Sequence, residues 1–485
     1  MISVTLNEAD FEYDIHSLVK AFFPKEEVSV SAERKAAMET ILFHMDITYE
    51  HGLPQDAEHG MILIFIDGEK QTEVSVDYSD RIGTKNRLKQ AMYRVLTAYT
   101  GNTLPWGSLT GIRPTKIPMA FLEEGCSREW IRGYMQDTYY ASEEKIDLSI
   151  EIAERELALL KKLDYVCGYS LYIGIPFCPS TCLYCSFTSY PLGKWISRVD
   201  EYLEALEKEI NFVAEALRNR HLNTIYVGGG TPTTLTAEQL DRLFTKLEEH
   251  FDFSHLMEYT VEAGRPDSIT REKLLALRKH GISRISINPQ TMKQETLDLI
   301  GRRHTVTQTK ECFYLARELG FDNINMDLII GLPEEGLSEV RDTMEQLMEL
   351  DPDNVTVHSL ALKRAARLSM FKEDYQELQM INTPEMIGLT AEYAKKMGLV
   401  PYYLYRQKNM AGNFENVGYA KPGKEGLYNI LMMEEKQDIL ALGAGSVSKR
   451  LFEGGRIERC ENVKEVTQYI GRIDEMIERK RNLWH

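Results

Sequence analysis

SLYIGIPFCPSTCLYC, residues 170–185, opens the most regular part of the chain. Its first seven residues, SLYIGIP, have the length and apolar character of a buried strand. The rest is a loop in which Cys178, Cys182 and Cys185 follow the spacing C-x3-C-x2-C. Beyond it, short apolar strands alternate with helical patterns. The strands read TIYVGGG (224–230), EYTVEAG (258–264), RISINPQ (284–290), NINMDLII (323–330) and NVTVHSL (354–360). VDEYLEALEKEINFVAEAL (199–217) and EVRDTMEQLMEL (339–350) are two of the helices between them. Six βα repeats predict an α/β fold with a parallel sheet. Six rather than eight predicts a partial (β/α)6 barrel, with its chemistry at the C-terminal ends of the strands. Cys178, Gly228–Gly230, Glu262, Gln290 and Asp327 all fall at those ends.

The flanking segments have different rhythms. Residues 1–165 read as an N-terminal α+β domain, 166–365 as the barrel and 366–485 as a C-terminal module that covers the substrate. In the first, MILIFID (61–67) and TEVSVDY (72–78) alternate like a hairpin around Asp67-Gly68. A helix is expected over 84–100. The Gly- and Pro-rich stretch 101–119 is expected to be loop. Ser142 is expected to cap a helix to about residue 163 that links the domains. In the last segment the expectations are a helix near 384–397, an aromatic strand at 401–406 and a Gly/Asn-rich loop over 407–426. ILALGAGSVS (439–448) and a terminal helix (461–479) complete it.

Composition excludes several classes. The chain has 485 residues, of which 57 are Lys or Arg and 74 Asp or Glu, for a net charge of −17. So acidic a chain does not bind nucleic acid through a broad basic face. Hydrophobic residues at 43% and charged residues at 27% exclude disorder along the whole length. No apolar run reaches the roughly 20 residues of a membrane span. The start MISVTLNEAD lacks the basic and apolar regions of a secretory signal, so the expected location is the cytoplasm. Seven cysteines, an odd number, argue against a disulfide framework.

Three thiolates on one loop suit three irons of a [4Fe–4S] cube and leave the fourth iron open to a small molecule. The alternative is structural zinc, which takes four ligands, usually as two C-x2-C pairs. Cys167 is a fourth thiol in the vicinity, but it precedes the strand and so sits at its opposite end.

The motif after the first strand of a six-fold βα barrel resembles the radical S-adenosylmethionine (SAM) superfamily. Together, YIGIPFC, YVGGGTPT, VEAGRPD, INPQ, GRRHT and NMDLIIGLP resemble the oxygen-independent coproporphyrinogen III oxidase (dehydrogenase) group, most closely its HemZ branch. The resemblance implies a cluster on Cys178, Cys182 and Cys185, and SAM as one or two molecules. It further implies SAM or cavity contacts at Tyr172, Tyr184, Phe187, Gly229, Gly230, Thr231, Glu262, Gln290, Arg302, Asp327 and Ala361. Lys363, Arg364 and Arg406 are expected to meet substrate carboxylates, and no residue is assigned a catalytic role. Taken singly, Glu262 also reads as a solvated acid, Asp327 as a helix cap, Arg302 as a surface charge, and Lys363-Arg364 as a solvated pair.

The implied activity is oxidative decarboxylation of two propionates of coproporphyrinogen III to vinyl groups, without oxygen, in haem biosynthesis. The implied partners are a tetrapyrrole substrate and an electron donor such as flavodoxin or ferredoxin. Two positions depart from the group's pattern: Gly174 stands where a His is usual, and Phe187 where a fourth Cys is. These departures keep two other readings open, a haem-binding chaperone and a radical tetrapyrrole methyltransferase that opens the ring. The loop over Arg406–Met410 and Asn413–Tyr419 resembles one that closes over the cavity, and it carries no His. His304 and His358 are the remaining imidazoles, each read as structural. The N-terminal domain is expected to hold none of the radical machinery, with Arg113 and Lys116 as its contact residues.

Overall fold

The computed structural model describes residues 1–32, 41–52, 58–361, 366–370, 378–407 and 414–484. The chain divides into two compact units. Met1–Ala153 with Leu404–Glu415 forms one, and Glu154–Tyr403 with Asn416–His485 the other.

The first unit is built on a five-stranded sheet in the order Val28–Ser31, Ile2–Leu6, Phe43–His51, His59–Ile66, Glu69–Asp77. Its expected hairpin is present. Asp67 and Gly68 both take positive φ (50° and 84°), as a two-residue turn that follows the strand twist requires. The helix Arg81–Thr100 is capped by Asp80 and packs Leu88, Met92 and Leu96 onto Ile2, Val4, Ile62 and Ile64. The loop expected over 101–119 ends sooner, because a helix, Lys116–Glu123, begins inside it. Pro118 lies in its first turn, where a missing N–H costs no intrahelical bond.

The second unit contains one eleven-stranded sheet. The six predicted strands lie side by side in sequence order: Gly168–Ile175, His221–Gly229, Glu258–Gly264, Arg284–Ile287, Ile324–Ile330 and Asn354–Ser359. All five pairings among them are parallel. The sheet has two free ends and is therefore open. Asp438–Leu442 adds a further parallel strand beside Gly168–Ile175, and Val447–Leu451 and Ile457–Glu461 follow it antiparallel. Several elements of this part were not predicted, among them one strand and one helix. Asn416–Ala420, expected as loop, is a strand antiparallel to Asn354–Ser359. Its Gly418 leaves room for the Tyr403 ring, which a Cβ would meet within 1.9 Å. Leu427–Glu434 is a helix whose first N–H groups, on Leu427 and Tyr428, donate to the buried Glu258 carboxylate. The expected terminal helix is two, Val466–Gly471 and Ile473–Trp484.

In-register pairing puts Tyr172, Tyr226, Thr260, Glu262, Ser286, Asn325, Asp327, Thr356 and His358 on one face of the sheet. Behind the other edge, Lys480 and Glu209 form a fully buried ion pair at 2.6 Å. Glu209 also accepts from Tyr469 Oη and from the Gly443 N–H, so the pair fastens the C-terminal helix and the 443–446 turn to the barrel.

Candidate functional site at the strand ends

The three cysteines follow the first barrel strand. A two-residue bridge, Phe177–Cys178 with Tyr190–Pro191, closes their loop at its base. Leu183 N donates to Ile300 O (3.0 Å), and Ser180 Oγ donates to Gly301 O (3.0 Å). Arg265, just after the third strand, grips the loop. Its Nη1 donates to Ser180 O (3.0 Å) and Ser180 Oγ (2.7 Å) and lies 3.9 Å from Cys182 Sγ, while Asp267 holds its other edge. All seven cysteines are free thiols. Burial raises the pKa of Cys178 and of Cys185, and the neighbouring thiols add to it.

This donor set fits the implied cluster. Three unpaired thiols share one loop, and two buried cations stand at Cys182. One is Arg265. The other is Arg302, where burial opposes the charge but the Tyr184 phenol and Cys182 thiol outweigh it and raise its pKa. Among the described residues, no three His, Cys, Asp or Glu side chains gather around a single point as one zinc ion requires. Cys167 is exposed and precedes the first residue of the strand, about 25 Å from its far end. It is not a fourth ligand to the same group.

The glycines after the second strand have an internal reason. A Cβ on Gly230 would stand 2.5 Å from Phe177 O, and one on Gly229, at φ +110°, would stand 3.1 Å from Ile175 O. Gly230 N donates to Ile175 O (2.8 Å) and Thr231 N to Phe177 O (2.7 Å). The bare backbone thus seats the start of the cysteine loop, with Thr231 Oγ1 3.5 Å from Cys178 Sγ.

Glu262 lies near the end of the third strand. Tyr226 Oη donates to its Oε1 at 2.5 Å, and burial, reinforced by Asp327, pushes its pKa up to about 7. Tyr226 stacks on Tyr428 at 4.6 Å between centroids, and Tyr172 lies at 6.2 Å from Tyr226 and 6.3 Å from Tyr428. Gln290 is buried with φ +70°, a left-handed conformation costly for a residue with a Cβ. Its N–H donates to Asp327 O and its carbonyl accepts from Ile329 N. Asp327 is oriented by Asn325 Nδ2 (2.7 Å) and lies 4.0 Å from His358. Arg302 Nη1 donates to Asn288 O. An open cavity of about 690 Å³ beside the cysteine loop is lined by Arg302, Arg303 and Arg367.

Most of the expected residues therefore gather at the strand ends. Ala361 follows the sixth strand, half-buried, and Phe187 stands exposed beside Cys185. Lys363, Arg364 and residues 408–413 lie outside the described residues. Arg406 is buried, with Nη1 donating to Leu109 O and its guanidinium over Trp106. His304 is completely buried, and burial and Arg302 lower its pKa to about 3. Gly174 is no vacant socket. A Cβ there would meet Leu442 O at 3.2 Å and the Tyr172 ring at 3.4 Å, and Tyr202 Oη donates to its carbonyl. Arg265, Tyr226 and Tyr428 were not singled out in the sequence. Arg265 lies within the quoted VEAGRPD, where an Arg two residues before an Asp was the available signal.

Residues 172–347 match the family model of the radical SAM superfamily. The chain is 44% identical over 401 residues to the oxygen-independent coproporphyrinogen-III oxidase-like protein HemZ of Bacillus subtilis, covering 82% of this chain and 80% of that protein. It is 34% identical to the heme chaperone HemW of the same organism, over 63% of this chain and 76% of that one. The solved coproporphyrinogen III oxidase HemN of Escherichia coli, described as a radical SAM enzyme, superposes with a TM-score of 0.52 at 25% identity, over 66% of this chain and 73% of that one. The chain belongs to the radical SAM superfamily, and within it to the family of oxygen-independent coproporphyrinogen-III oxidase-like proteins.

Proposed function

We propose that the protein oxidatively decarboxylates coproporphyrinogen III propionates to vinyl groups without oxygen, giving protoporphyrinogen IX. The observation that carries the reading is the trio of free thiols gripped by Arg265 and Arg302 at the mouth of a (β/α)6 sheet. Cys178, Cys182 and Cys185 would hold the [4Fe–4S] cluster. When bound, cluster and SAM would supply reductive cleavage of SAM and removal of a hydrogen atom from the propionate β-carbon, after which loss of CO2 and of one electron to the oxidised cluster would leave the vinyl group. The chain's own groups position the reactants. Glu262, kept near the polar end of Tyr226, offers a carboxylate to the ribose hydroxyls. Tyr172, Tyr184, Phe187, Gly229, Gly230 and Thr231 would contact SAM on the same reading. Gln290, Arg302, Asp327 and Ala361 would meet a second SAM or the substrate. Arg302, Arg303 and Arg367 provide cations for propionate carboxylates.

Residues 166–365 would carry the chemistry, 366–485 would cover the substrate, and 1–165 would take no part in radical formation. The electron donor would be a flavodoxin or ferredoxin, and the location the cytoplasm. A second reading, haem binding without decarboxylation, is favoured by the likeness to a heme chaperone. The test is an anaerobic incubation of reconstituted protein with SAM, reductant and coproporphyrinogen III, followed by mass spectrometry. A monovinyl intermediate, then a divinyl product, with 5′-deoxyadenosine rising on substrate addition, supports the proposal. Tight haem binding with no vinyl product replaces it with the second reading. S-adenosylhomocysteine with an opened ring would replace it with methyl transfer.

A further inference from the structure

The two large sheets have an outer strand at each end, and three of these four strands carry the devices that keep an exposed edge from pairing with another chain. Glu69–Asp77 presents Glu69, Lys70, Glu73 and Asp77. Val400–Tyr405 contains Pro401, and Ile457–Glu461 contains Glu458, Arg459 and Glu461. The fourth, Val28–Ser31, reads Val-Ser-Val-Ser, with neither charge nor proline. It pairs in parallel with Ile2–Leu6, and among the described residues no strand lies on its other side. Ile2 N donates to Glu27 O, so residues 27, 29 and 31 turn their backbone groups toward that neighbour. Val28 and Val30 turn theirs outward, where the His16 ring meets the Val28 carbonyl.

An open cavity of about 900 Å³ adjoins this edge. Val28, Ser29 and Val30 all line it. Side chains alternate along a strand, so three consecutive residues share a cavity where the backbone edge itself is accessible. Ile82, 69% exposed, and Tyr13, 55% exposed, add apolar surface there. A four-residue edge offers few backbone bonds, so that surface has to contribute to any pairing. The charges identify the partner. Glu12 and Asp14, at the start of the helix Glu12–Phe22, line the cavity together with Arg81 and Lys85, at the start of the helix Arg81–Thr100. Two acids and two bases on one patch make it self-complementary, because a two-fold axis sets the acids of each copy against the bases of the other. We propose that this face joins two copies of the chain, their Val28–Ser31 strands pairing antiparallel to make one continuous sheet. The inference does not depend on the reaction proposed above.

The test is sedimentation equilibrium of the full chain over a wide concentration range. Wild type should reach twice the mass of the chain. Ile82→Glu, at an exposed position, and Ser29→Lys, which gives this edge the charge the others carry, should each raise the dimer dissociation constant roughly tenfold or more. The unfolding midpoint of Ile82→Glu, read at a dilution where wild type is monomeric, should equal that of wild type, which separates a lost interface from a misfolded unit. Glu12→Lys and Lys85→Glu should each weaken the dimer alone, since like charges then meet across the axis. An equimolar mixture of the two should recover an affinity near wild type, because every contact across the axis again joins an acid to a base. Wild type that stays monomeric throughout overturns the proposal, as it would if the chain's own residues covered the edge. A dimer equally tight in all four variants overturns it by placing the interface elsewhere. A mixture no tighter than its components overturns the two-fold arrangement.

Discussion

Replacing Gly230 by Ala tests how the cysteine loop is seated. The new Cβ would stand 2.5 Å from Phe177 O and 3.0 Å from Ile175 O, both backbone atoms. An ordinary C···O contact is about 3.3 Å or more, so the Phe177 carbonyl must retreat by roughly 0.8 Å, the residue immediately before Cys178. That movement strains two hydrogen bonds, Gly230 N to Ile175 O and Thr231 N to Phe177 O. Overpacking costs about 1–3 kcal/mol, and each weakened bond up to about 1 kcal/mol more. The expected loss is about 2–4 kcal/mol of stability, together with displacement of the first thiol. Gly193→Ala is the control: it lies in the same region, and an added Cβ meets nothing within 4 Å. Iron per chain after anaerobic reconstitution and the urea unfolding midpoint are measured for both. Gly193→Ala should match wild type, while Gly230→Ala should lose iron and midpoint together. Wild-type iron content and midpoint in Gly230→Ala would refute the reasoning.

Three further outcomes are expected. Cys178→Ala, Cys182→Ala and Cys185→Ala should each abolish stable iron loading and 5′-deoxyadenosine release, whereas Cys126→Ala, Cys312→Ala and Cys460→Ala should retain both; full iron in Cys182→Ala would contradict this. Glu156 is fully buried, without a partner for either oxygen among the described residues, and burial with nearby Glu434 raises its pKa well above 4.5. A raised folded pKa means its contribution is fully present below the unfolded value and is lost as pH rises. Glu156→Met should therefore raise the urea midpoint more at pH 8 than at pH 4.5, and an equal effect at both would contradict it. Lys480→Met leaves Glu209 as an unpaired buried charge and should cost about 3–5 kcal/mol, read by denaturant unfolding; a loss below about 1 kcal/mol would show the pair to be dispensable.

The sequence by itself determined whatever is encoded within a few residues. Strand periodicity and helix patterns predicted the six parallel strands in their spatial order. The C-x3-C-x2-C spacing and Gly228–Gly230 marked the strand ends where the site lies. The Asp67-Gly68 hairpin was legible because turn geometry follows from two adjacent residues. Residue type near a strand end could not say what each side chain touches. The charge of Arg406 did not announce that its guanidinium donates to Leu109 O and lies over Trp106. Only the tertiary structure decided the rest, because those features join residues far apart in the chain. Arg265 reaches back 85 positions to Ser180, and Glu258 caps a helix 169 positions onward. The strand Asn416–Ala420 is held by its neighbour rather than by its own propensity. Gly230 looks like a ligand-binding glycine in the sequence, yet it is required by the chain's own Phe177 carbonyl. Hydrogen-bond satisfaction and burial are properties of the packed chain, so they become visible only once the chain has folded.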